Sequence, residues 1–114
     1  MQGIQEKMKN DLEEIFVAVD VETTGLSPIE NELIEVSAIK YRGGQKIDTF
    51  STLIKPKTRI PYYITNITGI TNEMVKKSPE VEEVMPQLID FIGESSIVAH
   101  NANFDYKFLQ CNSR

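Results

Sequence analysis

Phe16–Leu26 reads FVAVDVETTGL: the apolar run Ile15–Val19 meets two acids, Asp20 and Glu22, and passes at once into Thr23, Thr24 and Gly25. A continuous apolar run of this length marks a strand buried on both faces. Side chains alternate along a strand, so the two acids project from one face, and Gly25 frees the chain to turn after them. Two carboxylates held together repel unless a proton or a cation lies between them. A hard divalent cation with oxygen ligands, Mg²⁺ or Mn²⁺, is the economical answer. The alternative is a solvated strand end. Acid-x-acid recurs at Asp11, Glu30 and Glu80, so the spacing alone says little and the position says most.

Working outward, Leu33–Tyr41 and Ile47–Ile54 read as strands around Arg42-Gly43-Gly44-Gln45, because adjacent glycines accept the positive φ of a tight hairpin. With the first strand they form an antiparallel meander. Lys55–Pro61 is a loop, and Thr71 opens a short helical piece as its cap. Val81, Val84, Met85, Leu88, Ile89 and Ile92 then recur at helical spacing until Gly93, which predicts an amphipathic helix covering one face of the sheet. Ser95–His100 reads as a short buried strand and Asn101–Gln110 as a helix with Phe104 and Phe108 on one side. Strand, crossover helix and second strand imply a parallel pair with its C-terminal ends together, and sites form just past such ends. Asp20 and Glu22 would lie past the first end, and His100, Asn101 and Asp105 past the second. Each has a plainer reading: Asp105 as an acid favoured by a helix dipole, His100 as a polar strand end, Phe104 and Phe108 as core, and the threonines as turn residues whose hydroxyls satisfy backbone groups.

Composition narrows the class. The 114 residues, 40% hydrophobic and 25% charged, suit one soluble domain, with residues 1–14 a polar tail or linker outside it. No stretch resembles a membrane span or a signal-peptide core, so no membrane is expected and the cytoplasm fits. One cysteine, Cys111, and one histidine exclude an internal disulfide and a zinc ribbon or finger. A net charge of −5 is unlike a protein that grips long duplexes through a broad basic face.

DVETTGL at Asp20–Leu26, ITGIT at Ile67–Thr71 and VAHNANFD at Val98–Asp105 resemble, in that order and at those separations, the first two motifs of the DEDD-type (DnaQ-like) 3'-5' exonucleases. The likeness is to the proofreading exonucleases of bacterial DNA polymerase III, as a separate subunit or as a domain embedded in the polymerase. It implies a ribonuclease H-like mixed sheet and a two-metal reaction using Mg²⁺ or Mn²⁺. Asp20, Glu22 and Asp105 would be the catalytic metal ligands, Asp20 bridging both ions. Thr23, Thr24 and Gly25 would line the pocket of the 3'-terminal nucleotide, Leu26 and Ile70 would pack on its base, and His100, Asn101 and Phe104 would support the second metal. The implied partners are single-stranded or frayed 3' ends of DNA, with RNA left open, and a DNA polymerase or helicase.

The family also needs a third motif, a histidine or tyrosine base followed by a fourth aspartate. Nine residues follow Asp105, none of them aspartate, and His100 lies inside the second motif. Asp90 and Glu94 fall at the wrong end of the sheet. Residues 15–114 therefore read as the N-terminal two-thirds of an exonuclease domain, inactive alone, with a sheet face left open to self-association or a partner. A non-catalytic remnant or interaction module of the same fold, and an RNA-directed exonuclease, are the competing readings.

Overall fold

A computed structural model of the chain describes residues 14–99 and 102–113; the tail expected over residues 1–14 lies outside them except for Glu14. Strands β1 (Ile15–Thr23), β2 (Leu33–Arg42) and β3 (Gln45–Leu53) form the expected antiparallel meander. The β2–β3 turn is two residues, Gly43 and Gly44, with φ of 57° and 78°, the backbone a hairpin of this length demands. Helices α1 (Tyr62–Thr68), α2 (Asn72–Val75) and α3 (Val81–Ile92) follow, then strand β4 (Ser96–Ala99) and helix α4 (Ala102–Asn112). β4 pairs parallel with β1, and the strand order is β3-β2-β1-β4.

The sheet separates two faces. Val17, Val19 and Val21 of β1, with Val36 and Ala38 of β2, bury against Val84, Met85 and Leu88 of α3 and Phe108 of α4. Of the predicted α3 stripe, Val84, Met85 and Leu88 are buried and Val81 and Ile92 pack against them, whereas Ile89 is 50% exposed; Gly93 ends the helix with φ 57° and its N–H on the Ile89 carbonyl. A second cluster, Ile34, Ile60, Ile64, Ile70 and Val75 with Leu53 against it, seats α1 and α2 beside the ends of β2 and β3. Thr71 caps α2 as expected, its hydroxyl accepting from the Met74 N–H at 3.1 Å.

Three expectations are corrected. β1 continues through Thr23, so Asp20 and Glu22 lie within the strand and not past it; β2 extends the ladder by pairing Ser37 with Asp20 and Glu35 with Glu22. β1 is buried on one face only, because Phe16 and Ala18 on the other are half-buried and no described helix covers them. β4 is an edge strand with Ile97 and Val98 exposed, where a buried strand was expected. The sequence pattern also offers no element over Tyr62–Thr68, where α1 forms between Pro61 and the left-handed Gly69. Among the described residues no helix is long and apolar enough to cross a membrane.

Candidate active site

The β1–β2 register places Phe16, Ala18, Asp20 and Glu22 on the face opposite the valine core, each beside a same-face partner: Tyr41, Ile39, Ser37 and Glu35. Phe16 and Tyr41 stack there with ring centroids 5.0 Å apart. A groove of about 450 Å³ opens beside Asp20, walled by Ala18, Ser37, Ile39, Val98 and Ala99. Asp20 is exposed, Glu22 half-buried, and Asp105 on the first turn of α4 is 2% exposed.

Electrostatics bind these acids into one group. The Glu22 carboxyl is pushed above its ordinary value of 4.5, first by burial, then by the charges of Asp20, Glu35 and Asp105. Asp105 thus lies within electrostatic reach of β1 across the parallel pair, as the crossover topology predicts. Glu35 was not anticipated, although same-face parity with Glu22 was readable once the hairpin was placed.

The loop after β1 is built by side chains gripping backbone. The Thr23 hydroxyl donates to the Gly25 carbonyl, and the Thr24 hydroxyl accepts from the Glu32 N–H at 2.9 Å while the Thr24 N–H donates to the Glu32 carbonyl. Both threonines are buried, so the plainer reading of their hydroxyls holds in this structure. Gly25 is required by a close approach: a Cβ there would come within 2.5 Å of the Asn31 Oδ1, which accepts from the Ser27 N–H at 2.9 Å. Glu32 closes the assembly. Its carboxylate accepts from the Lys57 N–H at 2.7 Å and from the Thr58 N–H and hydroxyl at 3.1 and 2.7 Å. No local pattern marks this residue, since its partners lie 25 and 26 positions away.

The base-packing pair divides. Leu26 is 85% exposed, whereas Ile70 is 3% exposed and enclosed in the second cluster. Phe104 lies against Phe108, ring centroids 4.9 Å apart, and seats the α4 turn that carries Asp105. His100 and Asn101 lie outside the described residues. The donors fit a hard cation in chemistry, all being carboxylate oxygens. As placed, no three carboxylates, histidines or cysteines among the described residues converge as a metal-ligand set.

A mixed sheet carrying paired acids on an interior strand, with a third on the helix that follows the parallel strand β4, defines a nuclease-like class. The chain belongs to the RNase_T exonuclease family, whose sequence profile matches residues 17–114. It is 52% identical over 95 residues to the PolC-type DNA polymerase III of Thermotoga maritima, covering 83% of this chain and 7% of that protein. It is 45% identical over 97 residues to the corresponding polymerase of Clostridium perfringens, covering 85% of this chain and again 7% of the relative. The chain thus spans under a tenth of the length of these relatives. Its fold overlays that of exonuclease X, solved in complex with 5' overhanging duplex DNA, with a TM-score of 0.70 and 30% identity, over 82% of this chain and 52% of the other. The fold is ribonuclease H-like, as the resemblance implied.

Proposed function

We propose that this chain carries the carboxylate site of a 3'-5' exonuclease that hydrolyses the terminal phosphodiester of single-stranded or frayed DNA to release nucleoside 5'-monophosphates. The observation that carries the reading is the crowding of Asp20, Glu35 and Asp105 around Glu22. Like charges gathered around one carboxyl are costly without a counter-charge. Asp20, Glu22 and Asp105 would hold two divalent cations, Mg²⁺ or Mn²⁺, which supply an activated water and neutralise charge on the attacking and leaving oxygens. Asp20, exposed on an interior strand beside the groove, would be the ligand shared by both cations. Burial and the neighbouring charges oppose ionisation of Glu22, and a bound cation would offset them.

The Thr23–Gly25 loop, held by its own hydroxyls and by Glu32, presents a fixed rim for the terminal nucleotide. Leu26 offers that nucleotide an apolar surface that any base accepts, whereas Ile70, enclosed in the second cluster, would act only from within the core. Phe104 holds the Asp105 turn, and His100, Asn101 and Phe104 would support the second metal. The 114 residues alone lack the third motif and would not turn over. The similarity to PolC-type polymerases points to a replicative polymerase as the partner, and the half-open sheet face to self-association or pairing.

The test is a 5'-labelled single strand incubated with the chain, and with any longer product of its gene, in Mg²⁺ or Mn²⁺. Stepwise shortening from the 3' end with mononucleotide release by the longer product is expected. Internal cuts, or shortening from the 5' end, would overturn the assignment. A second reading, a non-catalytic module of the same fold, is favoured by the lack of a converged three-ligand set among the described residues. Absence of activity in every form would select it.

A further inference from the structure

A second concavity, of about 570 Å³, lies away from the acids, between the loop before α1 and the turn of α2; Arg59, Ile60, Tyr62, Asn72, Glu73 and Lys76 line it. Its size falls within the roughly 300–1,000 Å³ of sites that hold small organic groups. One wall is rigid, because the Asn72 side chain accepts from the Ile60 N–H at 2.7 Å and donates to the Ile60 carbonyl at 3.0 Å. The other groups are uncommitted. Arg59 and Lys76 form no ion pair among the described residues, where the only cation paired is Lys57. Tyr62 is 80% exposed, its ring turned to water, and Glu73 is the sole acid of the lining. In a chain of net charge −5, two free cations beside an exposed ring in one hollow make a local anion-and-stacking site.

The hollow is mechanically joined to the loop after β1. Arg59 follows Thr58, Thr58 is held by Glu32, and Glu32 pairs with Thr24. Resting on the exonuclease reading above, we infer that this hollow binds nucleotides of the same single strand upstream of its 3' terminus, Tyr62 stacking on a base and Arg59 and Lys76 neutralising phosphates. Stacking on an aromatic ring tolerates any base, and cations track the backbone, which suits an enzyme that must hold a strand of any sequence.

The experiment is fluorescence-anisotropy binding of an oligothymidylate and of free dTMP to the 114-residue chain in EDTA, so that neither metal nor turnover enters. Tyr62→Ala should weaken oligonucleotide binding by about five- to 150-fold, the range measured for removal of one base-stacking ring, and Tyr62→Phe should restore it. Arg59→Ala/Lys76→Ala should flatten the salt dependence by about 1.4 log units per log unit of salt, the loss of two single-strand phosphate contacts. Glu73→Gln should tighten binding. Binding of dTMP, which offers one base and one phosphate, should be far weaker than that of the oligonucleotide, and circular-dichroism melts should confirm that all four variants are folded. No oligonucleotide binding by the wild-type chain, or unaltered affinity and salt slope in folded variants, overturns the inference. Shortening from the 3' end without dependence on the hollow would leave the exonuclease reading standing alone. Hollow-dependent binding without 3' shortening in any form would do the reverse.

Discussion

At the scale of single residues, Glu22 is the most informative group, since burial and three neighbouring carboxylates raise its pKa in the folded chain. A raised carboxyl contributes stability that is present below its unfolded value and lost as pH rises through its folded value. In metal-free buffer, Glu22→Gln should therefore match the wild-type chain in urea denaturation below pH 4.5 and be the more stable of the two at neutral pH. Equal stabilities across that range would remove the argument from crowding. The companion outcome concerns metal. Asp20→Ala should weaken Mn²⁺ binding to this chain, followed by electron paramagnetic resonance, by at least about tenfold, because even outer-shell changes cost that much at metal sites. In a catalytically complete gene product the same change should slow hydrolysis by about 10³-fold, several kcal/mol of lost charge stabilisation. The alignment of Asp20 with Glu22 was legible from strand parity alone. That the Thr23 and Thr24 hydroxyls satisfy backbone groups was legible too; the whole role of Glu32 was not, because its partners sit across a separation that no local pattern announces.

At the scale of elements, helix α3 anchors the covered face, and Leu88 at its centre is 1% exposed. Leu88→Ala should cost about 2–5 kcal/mol, read as a lower urea midpoint, a large share of the roughly 5–15 kcal/mol that holds a domain of ordinary stability. The loop after β1 has its own test. Gly25→Ala pushes a methyl into the Asn31 amide and should release Asn31 from the Ser27 N–H, visible as a shifted and more rapidly exchanging Ser27 amide. An unchanged Ser27 resonance would show that the amide can retreat without letting go. Elements with a long apolar period, α3 above all, were plain in the sequence, as was the hairpin with its paired glycines. Helix α1 was missed because YYITNIT is rich in β-branched residues, which resist helix formation. Tertiary burial of Ile64, a preset Pro61 and a left-handed Gly69 override that preference; the Pro-before, Gly-after bracket was the readable signal. β1 outran its apolar run because β2 supplies backbone partners as far as Thr23, and hydrogen bonding is indifferent to the charge of the side chains it carries.

At the scale of the whole molecule, the open sheet face leaves Val98 53% exposed on an edge strand, and unpaired edges seek partners. Sedimentation velocity should show concentration-dependent association, and Val98→Lys should suppress it; a monomer at every concentration would mean that Phe16 and Tyr41, stacked on each other, shield the face well enough. The parallel pairing carries a different consequence, one of order in time. The meander closes through a two-residue turn and one short loop, whereas β4 finds β1 only by joining Phe16 to Ser96, partners eighty positions apart. Loop-closure entropy must be met before such a contact repays it, so β4 and α4 are the natural last arrivals and first departures. In native-state hydrogen exchange the Ile97 and Val98 amides should exchange ahead of those of Val19 and Val36. Each such opening would carry Asp105 away from Asp20 and Glu22 while the meander stayed folded, so that the carboxylate site would be dismantled and rebuilt by a sub-global fluctuation far smaller than unfolding.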